Sequence, residues 1–246
     1  ATGHAVRAQY MYTGMADVAM YEYSDKYNDV LTSLWEDVTY TKQYVTGGIG
    51  NTKTNEGFAD SYELANGEAY CETCACIANA MWNLRMNQMF GESKYIDQLE
   101  TDLYNGILSC VNFSGNGFFY QNPMTSDGNR TRSVWFATAC CPPNLMRTVE
   151  GLGAYLYTQR ELELTVNLYV GNEAEIEMNG NHIGLTMTSD MPWEGNAGLT
   201  LSMEQSQKFA IRFRVPSWAT GRNTIHLNGK TVSATPDSDG YVVLDR

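Results

Sequence analysis

Basic residues are scarce in this sequence. Lysine and arginine number 16 against 28 aspartates and glutamates, giving a net charge of −12 and a pI near 4.6. A field of that sign repels phosphate backbones and anionic headgroups, which argues against nucleic-acid or membrane-surface binding. Long apolar runs are also missing, and none approaches the ~18 residues of a membrane-spanning helix. Charged residues of both signs reach only 18%, against 43% hydrophobic and 12% aromatic, the reverse of the balance that keeps a chain disordered. Nor is there a secretory leader over residues 1–10, where His4, Arg7 and Gln9 interrupt any apolar stretch. An opening without methionine, entering a helical pattern at Gly3-His4-Ala5-Val6-Arg7, reads as a fragment of a longer chain. Its 246 residues and 27.5 kDa suit one large domain or two modest ones, with room for a core.

Cysteine is absent after position 141. Five of the six cysteines fall in two tight groups, Cys71, Cys74 and Cys76, then Cys140 and Cys141, with Cys110 between them. A disulfide scaffold spreads its cysteines through a short chain, so this grouping points to metal binding or catalysis.

Apolar spacing by three and four predicts helices over 5–23, 27–41, 71–90, 94–110 and 142–157. Gly91 closes the third, and Pro142-Pro143 starts the fifth. A glycine-flanked loop covers about 46–69, and 112–139 is irregular. From Glu161 the period becomes two, at Leu162, Leu164, Val166 and Leu168, then Leu199, Leu201 and Met203, then Ile211, Phe213 and Val215. Asn228-Gly229 marks a hairpin, and Tyr241 opens a last strand. Helices followed by strands, without alternation, predict an α+β chain divided near residue 160.

Cys140-Cys141-Pro142-Pro143-Asn144 places two thiols at a helix start, where the positive dipole end is expected to lower their pKa. The alternative is two small buried residues. Cys71-Glu72-Thr73-Cys74-Ala75-Cys76 also opens a helix. On a regular helix Glu72 and Cys74 diverge by about 200°, but at a frayed start both can face one cation. Glu72, Cys74, Cys140 and Cys141 together offer one oxygen and three sulfurs, a tetrahedral zinc set, unless they line a reduced, partly buried face. Glu56, Asp60, Glu63 and Glu68 read first as a solvated surface, or as the source of one general acid/base. The Thr46–Lys53 stretch lacks the spacing of a phosphate loop. His4, His182 and His226 are isolated, one on a helix and two on strands. Two glycosylation sequons begin at Asn112 and Asn129.

Five motifs resemble, in order, the zinc-dependent β-L-arabinofuranosidases of glycoside hydrolase family 127. They are Gly3-His4-Ala5-Val6-Arg7-Ala8, Tyr44-Val45-Thr46-Gly47-Gly48-Ile49-Gly50, Glu72-Thr73-Cys74-Ala75, Cys140-Cys141-Pro142-x-Asn144 and Phe213-Arg214-Val215-Pro216-Ser217-Trp218. The resemblance implies the second half of an (α/α)6 barrel over 1–160 and an antiparallel β-sandwich over 161–246. It implies Cys140 as nucleophile, Glu56 as acid/base, and Zn2+ held by Glu72, Cys74, Cys140 and Cys141. His4 and Tyr120 match substrate-contacting positions, the substrate being an L-arabinofuranose-containing glycan. The family pattern has glycine where Cys71 stands. A missing barrel half is expected to strand Val6, Tyr10 and Leu34 without partners, to be covered by further chain or an oligomer. Two other readings remain: a non-catalytic carbohydrate-binding relative with structural zinc, and a redox switch without metal.

Overall fold

A computed structural model describes residues 1–245. They separate into two compact units, residues 1–91 with 95–150, and residues 92–94 with 151–246. Among the described residues no helix is long and apolar enough to cross a membrane.

The helices are α1 (Ala5–Glu22), α2 (Asp25–Thr41), α3 (Thr73–Phe90), α4 (Ser93–Thr101), α5 (Cys141–Glu150) and the single turn α6 (Gly153–Leu156). α1 buries Ala5, Ala8, Tyr12, Ala16 and Ala19 in steps of three and four. These small side chains let α3 lie close, with the Tyr12 and Trp82 rings 5.0 Å apart. α2 adds Leu31, Trp35 and Val38 to the same core. Val6 and Leu34, expected to be stranded, pack against that core instead.

From Thr73 to Asn87, α3 is buried on nearly all sides, as an inner helix must be. Several of its polar side chains therefore bond internally. Trp35 Nε1 donates to Asn83 Oδ1 (2.7 Å), Asn83 Nδ2 to Asn79 O (2.9 Å), and Asn79 Nδ2 to Asp102 Oδ2 (2.8 Å).

Two helices are shorter than the periodicity predicts. α4 is regular only to Thr101, followed by a π-helical turn at Asp102–Ile107 and a 3₁₀ turn at Leu108–Cys110. The wider turn seats fully buried Asp102, which also accepts from Gln98 Nε2 at 3.1 Å. α5 ends at Glu150 rather than Tyr157, because Gly151 and Gly153 weaken a helix there.

The strands are β1 (Tyr157–Arg160), β2 (Glu163–Val166), β3 (Asn172–Met178), β4 (Asn181–Ser189), β5 (Ala197–Met203), β6 (Ala210–Arg214), β7 (Ile225–Leu227), β8 (Lys230–Val232) and β9 (Tyr241–Asp245). One sheet runs β1-β2-β6-β9, a second β3-β4-β5, and β7-β8 is the expected Asn228-Gly229 hairpin. Every pairing is antiparallel except β2 with β6. Leu164 and Ile211 of the first sheet meet Met178, Ile183, Leu185 and Leu201 of the second, forming a sandwich core. The sequence reading overlooked β3 and β4, although Ala174, Ile176 and Met178 alternate with glutamates.

Candidate active site

Both halves of the site precede helices. Glu72 stands just before α3 in extended conformation (φ −61°, ψ 137°), so the helical divergence from Cys74 does not apply to it. Cys140 precedes α5 and Cys141 opens it. A segment near Tyr120 ties the start of α3 down. Thr73 N donates to Tyr120 O and Thr73 Oγ1 to Phe119 O, both at 2.9 Å. Asn122 donates from its backbone to Cys71 O (2.9 Å) and from Nδ2 to Thr73 Oγ1 (3.0 Å).

The donor atoms of Glu72, Cys74, Cys140 and Cys141 consequently lie within 4.8 Å of one another. Cys140 Sγ is 3.3 Å and Cys141 Sγ 3.6 Å from Glu72 Oε1, and the two sulfurs are 3.7 Å apart. All four groups are buried except Cys140, which is exposed. Glu72 Oε2 is buried without a hydrogen-bond partner. An orphaned carboxylate oxygen beside three sulfurs is an incomplete coordination shell, and the cluster is able to hold a metal ion.

Cys71 and Cys76 stay outside it. Cys71 has φ 40°, in the left-handed region that favours glycine, the residue the resemblance led one to expect at this position. Burial pushes its thiol up to about 12, and burial together with Asp102 raises Cys76 well above its ordinary value.

The helix-start effect expected on Cys140 and Cys141 is outweighed. Burial pushes the Cys140 thiol up to about 11, with Cys74 and Glu72 adding and the Tyr120 hydrogen bond opposing. Cys141 rises much further, because its thiol donates to the Cys74 sulfur and is buried. Only Cys74 is lowered, since it accepts from Cys141 and from Asn144. Anionic groups this close do not all ionise without a cation among them.

A second group adjoins the first. His4 Nε2 is 3.1 Å from Glu56 Oε2, and both share a 4.8 Å cluster with Glu72. Gly57 permits this approach: a Cβ there would lie 2.3 Å from the Gly3 carbonyl oxygen, which accepts from Phe58 N at 3.0 Å. Asn55 and Glu56 adopt φ 57° and 48°; asparagine enters this left-handed region readily, whereas for glutamate it is disfavoured, and such strain is common at functional sites. The buried Tyr70 hydroxyl bonds to Glu56 and to Gln121, and burial followed by the Glu56 contact raises it far above the ordinary phenol value. Tyr120 Oη lies 3.0 Å from Cys140 Sγ. Its ring is met edge-on by Tyr70 (6.5 Å) and Phe136 (5.5 Å).

All seven residues singled out by the sequence, His4, Glu56, Glu72, Cys74, Tyr120, Cys140 and Cys141, thus fall in the first unit. Asp60, Glu63 and Glu68 remain on an outer loop, whereas His182 and His226 lie on β4 and β7 of the second unit. Tyr70, Asn122 and the side-chain role of Asn144 escaped the sequence reading. Asn144 and Asn122 carried a signal, as parts of the Cys-Cys-Pro-Pro-Asn and Phe-Tyr-Gln-Asn strings; Tyr70 carried none.

Residues 1–154 match the sequence profile of the β-L-arabinofuranosidase catalytic domain of glycoside hydrolase family 127, and residues 163–246 match that family's middle domain. The chain belongs to this family. It is 34% identical to a non-reducing end β-L-arabinofuranosidase of Bifidobacterium longum subsp. longum, over 99% of this chain and 39% of that protein. It superposes on a family 127 β-L-arabinofuranosidase from Geobacillus stearothermophilus T6 with a TM-score of 0.95 and 37% identity, covering 100% of this chain and 40% of that one. A second family 127 β-arabinofuranosidase gives a TM-score of 0.92 at 38% identity, covering 100% of this chain and 41% of that one. The chain therefore spans about two fifths of the length of these relatives. Its architecture is a partial helical barrel followed by a sandwich domain.

Proposed function

We propose that this chain carries the chemical groups of a retaining glycoside hydrolase that releases β-L-arabinofuranose from glycans or glycoconjugates. Within it, the helical unit ending at 150 is the barrel half and the unit from 151 onward carries the sandwich, so β1 falls with the sandwich and not, as the boundary near 160 expected, with the barrel. The observation carrying this reading is that the cluster's one exposed sulfur, Cys140, shares Glu72 as a neighbour with the His4–Glu56 pair. Retaining hydrolysis needs a nucleophile and a proton-transferring carboxylate beside one glycosidic bond.

Glu72, Cys74, Cys140 and Cys141 would hold Zn2+, whose preference for tetrahedral sulfur and oxygen donors this set meets. When bound, zinc supplies the positive charge that favours thiolate over thiol at neutral pH. Cys140 Sγ attacks the anomeric carbon, forming a C–S bond as the glycosidic C–O bond breaks. Glu56 gives its proton to the departing oxygen. Glu56 then takes a proton from water, whose oxygen displaces the sulfur and returns Cys140 as thiolate. His4 and Tyr70 hold the Glu56 carboxylate through this cycle, while His4 and Tyr120 contact the sugar.

A second reading is supported by the ligand count. Four protein donors form a closed site, the arrangement usual for structural zinc, and suit a non-catalytic carbohydrate-binding relative. A cyclophellitol-type arabinofuranose probe separates the two. Covalent labelling of Cys140, lost in Cys140→Ser, is expected from the catalyst. A zinc-loaded protein that resists labelling would favour the structural role.

A further inference from the structure

We propose that Trp135 is a stacking platform for the leaving group, taking the face of the sugar ring from which the terminal arabinofuranose is cut. The inference rests on the hydrolase reading above and deepens it, giving a residue outside the cysteine cluster a part in substrate choice. That reaction releases one terminal sugar. Everything beyond this sugar in the substrate is therefore leaving group, and it lies outward from Cys140 and Glu56.

The chain is pinned on both sides of Trp135. Before it, Ser133 and Phe118 exchange backbone hydrogen bonds of 2.8 and 3.0 Å. Arg132 donates to the Ser109 and Cys110 carbonyls at 2.6 and 3.1 Å, with its guanidinium 4.4 Å from the centre of the Phe119 ring. After it, Phe136 meets the Tyr120 ring edge-on at 5.5 Å, and Tyr120 Oη reaches the Cys140 sulfur at 3.0 Å. Trp135 is nevertheless 57% exposed. The other tryptophans of this unit, Trp35 and Trp82, are buried in its core, so Trp135 is the one open to a ligand. An indole presents a broad apolar face, and a sugar ring presents a face of C–H groups that packs on it while the hydroxyls stay in water. Because both neighbours of Trp135 are already fixed, stacking on it costs little further ordering. Covering the indole with protein would bring that cover toward Cys140, which the substrate has to reach.

The test uses the chain extended to the relatives' length and two β-L-arabinofuranosides with unactivated alcohol leaving groups, an arabinofuranosyl disaccharide and the methyl glycoside. The first has a ring to stack; the second has none. In Trp135→Ala, kcat/KM on the disaccharide should fall about tenfold, mostly through KM, while the methyl glycoside stays within about twofold of wild type. Trp135→Phe keeps an aromatic face and should recover most of that loss. A cyclophellitol-type arabinofuranose probe carries no leaving-group sugar, so Cys140 should be labelled at the same rate in all three proteins. Equal losses on both glycosides, or slower labelling in Trp135→Ala, would make Trp135 a structural residue and overturn the proposal. An unchanged disaccharide rate in Trp135→Ala would overturn it as well. A wild-type chain that cleaves neither glycoside and resists the probe would instead overturn the hydrolase reading, and this inference with it.

Discussion

Glu56 reaches the site through contacts that no local pattern announces. It sits in an acidic loop, and the proton-donor role proposed for it depends on His4 at 3.1 Å and on the Tyr70 hydroxyl. In the proposed reaction Glu56→Gln removes the proton donor, so turnover of substrates with poor leaving groups should fall about 10²–10⁴-fold. Substrates with activated leaving groups should lose less in the first step, since they depart without protonation. Tyr70→Phe should show the same selectivity at smaller size, because it loosens the carboxylate without deleting it. Steady-state kinetics on a leaving-group series decides this, and equal losses across the series would make Glu56 a binding residue. Cys140 and Cys141 were legible as a chemical pair from adjacency alone. The height of their thiol pKa values was not, because burial and neighbouring Cys74 and Glu72 are properties of the folded site.

α3 shows how an element's surroundings set its chemistry. Its polar ladder ends on Asp102, which is fully buried; burial raises its carboxyl well above 3.8 despite hydrogen bonds from Gln98 and Asn79. The native state thus keeps a proton that the unfolded state releases near the ordinary value. The stability that Asp102 contributes is therefore fully present below about 3.8 and is lost as pH rises through the elevated native pKa. Asp102→Asn does not ionise, so it lacks this slope. At low pH it should be less stable than wild type by about 1 kcal/mol, since an amide has one carbonyl oxygen for two donated hydrogen bonds. Toward neutral pH the gap should narrow or reverse. Urea denaturation at pH 4 and pH 7 measures it, and a gap independent of pH would show that Asp102 is ionised in the native protein.

At the scale of the whole molecule, the chain matches about two fifths of each relative. Met11 and Val18 on α1 and Met146 and Val149 on α5 are exposed apolar side chains on the unit that carries the site. We propose that additional chain, or an oligomer, completes the barrel around them. Catalysis requires reacting atoms held about 3–3.5 Å apart, and small misplacements cost about 10²-fold. The 246-residue chain should then be a poor catalyst beside one extended to the relatives' length, when kcat/KM is measured on one arabinofuranoside. Equal activity of the short chain as a monomer would contradict this.

Sequence alone determined the order of helices before strands, because periods of 3.6 and 2 are local consequences of burying one face. It also determined the chemical inventory, since two cysteine groups at helix starts, with Glu72 beside one of them, are visible without coordinates. Tertiary structure decided which of those groups meet. The extended backbone at Glu72 and the 118–122 segment bring four donors within 4.8 Å, and Cys71, equally close in sequence, is turned away at φ 40°. It also decided where α4 and α5 end and which carboxylate faces the sulfurs. The missing Cβ of Gly57 lets the Gly3 carbonyl in and sets His4 against Glu56. Such juxtapositions join residues about fifty to seventy positions apart, a range over which spacing carries no information and packing carries all of it.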